Sequence, residues 1–414
     1  MREFLDSVLI NRNYALFMGG SFVSATGSWF LTVTIGWLIW DIGKSEFLLG
    51  VANFSQMGPL LLLGLFGGVV ADRVDRRLLL LVAQVVAVAT TTLLTVLAAT
   101  QMASVPVILA LLLISGISQA FSWPAWSPFI ADLVGPDRLR TAVALNSARF
   151  NLTRIIGPSL AGLLLDQVGP PPCLGIAAAC QVGLLGTLGL VRANPAPRDR
   201  DPKPWLAALG EGLRCAWGTP SVRELMLVSA AMGLAIMPYT VFLPAFAQDR
   251  LAGGPQLLGL LFTSIGVGAI AGAVLSGTSW VSANARGSQG AFAATTGVFL
   301  AVFSLSTNPV LSSAALFFVG LGSIAYLSTA NATVQLSVPR EIVGRVIGLW
   351  VVVNSGTTPL GGLLLGAIAE RAGLGPTLAA AGLLSVVFSI LIMRWSSRRK
   401  VKGLASAENT ASLS

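Results

Sequence analysis

The chain has 414 residues, of which 54% are hydrophobic and only 10% charged, with a formal net charge of +9. A soluble domain carries roughly 25% charged residues, so a mean hydropathy of +0.80 leaves more apolar surface than an aqueous fold could hide. The composition excludes a soluble enzyme and points to an all-α membrane protein.

The hydrophobicity comes in blocks of about twenty residues, enough at 1.5 Å per residue to cross a hydrocarbon core of roughly 30 Å. Six spans are predicted near Tyr14–Trp40, Phe47–Val70, Leu78–Ala99, Val107–Ile130, Thr141–Leu165 and Cys173–Val191. Six more follow near Leu225–Ala247, Leu257–Gly277, Ala291–Leu305, Leu311–Ala332, Val343–Ala369 and Leu374–Met393. The first block is too long, and too closely followed by a second, for a cleaved leader. Twelve transmembrane helices in two pseudo-symmetric six-helix bundles are therefore expected: residues 1–191 form the first bundle and 225–395 the second. Residues 192–224, rich in Pro and charge, form a linker between them. Within it Trp205, Leu206, Leu209, Leu213, Ala216 and Trp217 recur at helical spacing, the pattern of a short helix on the membrane surface, with a solvated turn as the alternative. The tail 396–414 is basic, then Ser- and Ala-rich, a composition that predicts disorder.

The basic residues set an orientation. Lys44, Arg250 and Arg371 fall on one face, Arg149 and Arg154 inside the fifth span, and the other Lys and Arg all on the opposite face. Loops that face the cytoplasm retain positive charge, so both termini are predicted to be cytoplasmic in a bacterial inner membrane. The positive charge reflects topology, and nucleic acid is not needed to explain it.

An internal repeat relates the two halves. Leu49-Gly50 aligns with Leu258-Gly259 at an offset of 209, and Leu160-Ala161-Gly162-Leu163-Leu164-Leu165 aligns with Leu360-Gly361-Gly362-Leu363-Leu364-Leu365 at an offset of 200. Repeated halves imply a binding site near mid-membrane where they meet.

Between the second and third spans, Gly68, Asp72, Arg73, Arg76 and Arg77 stand in the order G-x-x-x-D-R-x-x-R-R. This resembles the loop signature of the major facilitator superfamily, with Asp75 where the family usually has Gly. The resemblance implies a conformational gate: Gly68 would let helices approach, Asp72 would accept from a facing helix N-terminus, and the Arg cluster would anchor the inner surface. In the fifth span Gly157-Pro158-Ser159-Leu160-Ala161-Gly162 resembles the G-P-x-x-G-G motif of exporters in that superfamily, with Thr153 where a glycine is usual. Pro158 would bend the helix, and Gly157 and Gly162 would permit close packing. Ala142–Ser147, Gly210–Arg214, Leu243–Ala247 and Gly266–Ala269 narrow the resemblance to the bacterial subgroup of siderophore and macrolide exporters, the transmembrane secretion effector type. It covers residues 10 to 395. It implies a secondary active transporter that exports a small organic molecule, siderophore-like or drug-like, by alternating access. An importer, as symporter or uniporter, is the competing reading, and a membrane scaffold or receptor the non-transport one.

Charges inside a membrane usually have a functional reason. The 17 acids all fall at predicted helix ends or in loops. The first span carries Gly27-Ser28 where relatives often show Gly-Asp, so the sequence offers no mid-membrane carboxylate for carrying protons. Arg149 and Arg154 lie roughly 12 and 20 Å along the fifth span from Thr141. Arg154 should be near the midplane, where an anionic or oxygen-rich cargo would satisfy it, and so would backbone carbonyls around Pro158. Arg149 could also snorkel to the interface. Asn146, Asn151, Asn331, Asn354 and the aromatic Trp29, Trp123, Trp126, Tyr239 and Tyr326 are further cavity candidates, each taken alone read more readily as helix packing or an interface belt than as a ligand contact. Three cysteines form neither a disulfide framework nor a metal cluster, and no phosphate-binding loop occurs, so no cofactor is expected. The expected partners are a small-molecule substrate and the lipid bilayer, with protons as a candidate coupling ion and a monomer as the working unit.

Overall fold

The computed structural model describes residues 11–191, 205–339 and 342–391. The first half holds α1 (Arg12–Gly43), α2 (Glu46–Arg73), α3 (Arg76–Ala99), α4 (Val105–Val134), α5 (Leu139–Val168) and α6 (Pro170–Leu190). A short α7 (Trp205–Gly218) leads into the second half. There α8 (Pro220–Arg250), α9 (Pro255–Ser276), α10 (Ala285–Leu305), α11 (Pro309–Ser337), α12 (Val343–Ala372) and α13 (Leu374–Leu391) follow. Eleven of these helices are long and apolar enough to cross a membrane. The remaining long one, α5, has 30 residues but carries Arg140, Arg149, Arg154 and Asp166.

Most helix starts are written locally. The side chains of Asn11, Ser45, Asp75 and Asn308 accept backbone N–H groups of the first turns they precede. Proline occupies the first turn of α4, α6, α8, α9 and α11, where its missing N–H costs nothing. Gly169 (φ 76°) breaks α5 from α6, and Gly373 (φ 83°) breaks α12 from α13 at the corresponding point of the repeat.

The packing follows the repeat. Helix α2 packs on α4 as α9 does on α11, and α1 packs on α5 as α8 does on α12. The two halves meet along α2 with α12 and α5 with α9. They touch toward the end of the molecule that holds Lys44. Toward the end that holds Arg76, a Cβ added at Gly68, Gly344 or Gly348 would meet nothing within 4 Å.

One expectation changes. The seventh span, predicted as one block, is irregular within α8: a 3-10 turn covers Met237–Phe242 and a π turn covers Phe246–Arg250. Pro238 and Pro244 cannot donate to the preceding turn, so the α-helical ladder is interrupted twice. The linker segment forms the helix α7, which is also joined to α12: Glu211 pairs with Arg345, and Ala216 is fully buried. Leu206 and Leu209 have no described side chains, while Leu213 and Trp217 are exposed. The predicted disordered tail lies outside the described residues.

Candidate transport site

The halves cross at glycines. A Cβ on Gly50 would fall 2.5 Å from the Gly362 carbonyl oxygen, and a Cβ on Gly162 would fall 2.7 Å from the Gly259 Cα. The repeat pairs Gly50 with Gly259 and Gly162 with Gly362; folding brings each onto the repeat-mate of the other. Backbone-to-backbone approach of this kind admits only the smallest residue.

Around the fifth-span motif each glycine serves a different neighbour. A Cβ on Gly157 would sit 2.6 Å from the Trp29 Cβ on α1, whereas Gly162 and the Pro158 carbonyl face Gly259 on α9. The hydroxyls of Ser159 and Thr263 lie 2.5 Å apart and join α5 to α9. At the equivalent α8–α12 crossing the sizes are exchanged, with Gly233 receiving Thr357.

The loop signature is arranged differently from expectation. Gly67, not Gly68, makes the close approach, against the backbone of Ala120 on α4; successive helix positions point about 100° apart, so only one of the two can face that neighbour. Arg76 and Arg77 do not project as a surface anchor. The Arg76 Nη1 donates to both oxygens of the buried Asp132 at 3.0 and 2.8 Å. Arg77 caps the C-terminal end of α6, donating to the Leu188 and Gly189 carbonyls at 2.8 and 2.6 Å. Asp75, the departure from the signature, accepts from Leu78 N at 3.1 Å and so starts α3. Asp72 and Arg73 close α2, and the Asp72 side chain lies outside the described ones. Asp132 and the capping role of Asp75 were missed from sequence. An Asp just before an apolar helical run is a legible cap signal, whereas nothing local marks the partner of Arg76.

Among the intramembrane candidates, Arg149 is held. Its guanidinium donates to the Ser21 carbonyl at 2.9 Å and to Asn146 Oδ1 at 3.1 Å, and it lies 5.9 Å from the Trp126 ring centroid. It is turned inward onto α1 and does not snorkel. Asn146 is thereby occupied, Asn151 donates to the Ser147 carbonyl of its own helix, and Asn331 accepts from Gln335. Tyr326 joins Ser229 and Trp350 in a buried hydroxyl–indole chain.

Arg154 is different. It stands near the middle of α5, half-buried, and its guanidinium makes no hydrogen bond or ion pair with a described residue. The group within electrostatic reach is the phenol of Tyr239, which the 3-10 turn of α8 brings into the molecule. Asn354, which the repeat matches to Arg154, has its buried Oδ1 without a partner. The described carboxylates of the membrane-spanning helices lie near the helix ends, Glu211 stands on the short α7, and no group of metal-binding side chains occurs among the described residues.

Residues 8–412 match the family described as transmembrane secretion effector. The chain is 28% identical over 357 residues to the enterobactin exporter EntS of Salmonella choleraesuis (strain SC-B67), covering 86% of this chain and 83% of that protein. The enterobactin exporter EntS of Escherichia coli O139:H28 (strain E24377A / ETEC) matches to the same extent. Among solved structures, a POT family transporter in complex with a thioalcohol-conjugated peptide superimposes with a TM-score of 0.74 at 13% identity, covering 94% of this chain and 96% of that one. The nucleoside transporter NupG gives a TM-score of 0.73 at 14% identity, covering 92% and 98%. At these identities the structures bear on the fold alone.

Proposed function

The chain belongs to the transmembrane secretion effector family and is a multi-pass secondary transporter, and from that premise we propose that it exports an anionic or oxygen-rich organic molecule by alternating access. The observation that carries this reading is Arg154. A guanidinium near mid-membrane is tolerable when hydrated or hydrogen-bonded, and here no described protein group accepts from it. A cargo with carboxylate, phenolate or carbonyl oxygens supplies the acceptors, in the bidentate geometry that suits arginine. Tyr239 adds a hydroxyl from the other half, and Asn354 is the third candidate contact. The enterobactin exporters among the relatives support a siderophore-like cargo.

The basic Arg76 end is the cytoplasmic end in this reading, so the structure stands open to the inside, ready to load. The two halves close on one another through α2–α12 and α5–α9, and a single copy suffices. Catalysis has no place in this reading. If export is driven by protons, they bind at carboxylates near the helix ends, since none is described at mid-membrane.

The test uses purified protein and enterobactin as the probe. Arg154→Gln should weaken binding about tenfold or more, the loss of a charge-assisted hydrogen bond, with the melting temperature unchanged. Arg154→Lys should recover part of the affinity, since it keeps the charge without the fork. A variant that melts early but binds as the wild type does makes Arg154 an anchor and removes the support for an anionic cargo. Direction is read in loaded cells: greater retention of the probe when the protein is present overturns export.

A further inference from the structure

Helix α7 meets α12 along one side only. A Cβ added at Gly212 would lie 3.2 Å from Leu349 Cδ1 and 3.3 Å from Arg345 Cβ, Ala216 is fully buried, and Glu211 pairs with Arg345. Successive residues of a helix point about 100° apart, so these three mark the side turned to protein. The next arc holds Leu213 and Trp217, one turn apart and 51% and 54% exposed. Beyond them lie Gly210, Arg214 and Gly218. Arg214 is exposed, and a Cβ at either glycine would meet nothing within 4 Å. Around its axis α7 thus passes from a packed side, through an uncovered apolar stripe, to an open polar rim.

Depth identifies what covers that stripe. Arg345 and Leu349 belong to the first two turns of α12, so α7 lies level with the end of a span, where hydrocarbon gives way to headgroups. An amphipathic helix at that level turns its apolar stripe into the acyl boundary, and Trp favours the same depth. The charges differ in what is left to them. Arg345 is matched by Glu211, and Arg223, followed by Glu224 near the start of α8, donates to the Trp217 carbonyl at 3.4 Å. Arg214 turns only its Nε back to the Gly210 carbonyl, at 3.3 Å, and forms no ion pair among the described residues. It stands at the rim of the stripe, at the end of the molecule that also holds Arg12, Arg76, Arg138 and Arg140. A cation at the edge of an inserted apolar stripe faces the headgroups.

We propose that α7 is a docking site for anionic phospholipid: Leu213 and Trp217 enter the acyl boundary of the leaflet at the Arg76 end, and the Arg214 guanidinium holds a headgroup of net negative charge. The occupied site ties the segment that joins the two halves to the membrane. Through the Glu211–Arg345 pair it ties the start of α12 as well. The site does not depend on the identity of the cargo, on the role of Arg154 or on the direction of transport.

Two measurements on the full chain test this. In nanodiscs of mixed phosphatidylcholine and phosphatidylglycerol, the chain with its three cysteines replaced carries a single spin label at Gly210, Leu213 or Trp217. Labels at Leu213 and Trp217 should relax chiefly by collision with oxygen, which concentrates in hydrocarbon, and the label at Gly210 by collision with a water-soluble nickel chelate. Relaxation by nickel at Leu213 and Trp217 would put the stripe in water, and shielding from both reagents would put it against protein; either result overturns the site. The second measurement titrates delipidated protein in detergent with each lipid and counts bound lipid by native mass spectrometry. Arg214→Gln should weaken one phosphatidylglycerol site about fivefold, the effect of removing one cation beside an anionic headgroup, and should leave phosphatidylcholine binding as it was. Arg214→Lys, which keeps the charge, should bind phosphatidylglycerol nearly as the wild type does. Equal phosphatidylglycerol binding by the wild type and Arg214→Gln overturns the assignment of the headgroup.

Discussion

The Asp132 carboxylate, 4% exposed, rests on one nitrogen of Arg76, and the two residues lie 56 positions apart. Breaking a buried pair from one side leaves an uncompensated charge, which costs about 3–5 kcal/mol, whereas removing both partners is often nearly neutral. Arg76→Ala should therefore lower the melting temperature markedly, and adding Asp132→Ala should restore much of it. Denaturation of the single and double variants measures this, and purely additive losses would mean that the contact is not the source of the effect. The pair was illegible in the sequence because helix periodicity fixes the face of a residue but not the helix that face will meet. Arg149 was only half legible for a similar reason. Its depth followed from counting along the span, but its acceptor, the Ser21 carbonyl, belongs to a backbone group that every residue has.

Neighbouring glycines on α2 separate packing from gating. A methyl at Gly67 would collide with the Ala120 carbonyl, an immovable backbone atom, while Gly68 has open space around it. Gly67→Ala should destabilise by about 1–3 kcal/mol, as overpacking does. Gly68→Ala should fold as well as the wild type or slightly better, because alanine is the stronger helix former. If Gly68 is needed when the Arg76 end closes, that stable variant should still transport poorly in a flux assay. Full flux by Gly68→Ala would remove it from the gate. Asp72→Asn belongs to the same test and should impair flux without loss of membrane insertion. At this scale much was readable. The paired offsets of 209 and 200 predicted matching helices, and the glycine crossings at Gly50–Gly362 and Gly162–Gly259 follow that register, because only glycine survives where backbones touch. The irregular path of α8 was written in Pro238 and Pro244 but masked by uniform hydrophobicity, which measures depth and is blind to hydrogen-bond geometry.

For the whole molecule the positions of the helix termini bear on orientation. With α5 counted beside the eleven apolar spans, six long helices precede α7 and six follow it, so the chain enters α1 and leaves α13 at the same end, the one that holds Arg76. Arg12, Arg73, Arg76, Arg77, Arg138, Arg140 and Arg345 mark helix termini at that end, against Lys44, Arg250 and Arg371 at the other. Although Arg76 and Arg77 are bonded within the folded protein, topology is set as each span inserts, before those partners exist, so their charge still counts toward retention on the cytoplasmic side. Alkaline phosphatase, which is active only outside the cytoplasm, should therefore be inactive when fused after Arg394 and active when fused at Gly254, between α8 and α9. Activity after Arg394 with silence at Gly254 would invert the molecule. The Lys44 end would then face the cytoplasm, the open end would load from outside, and the export reading would give way to uptake.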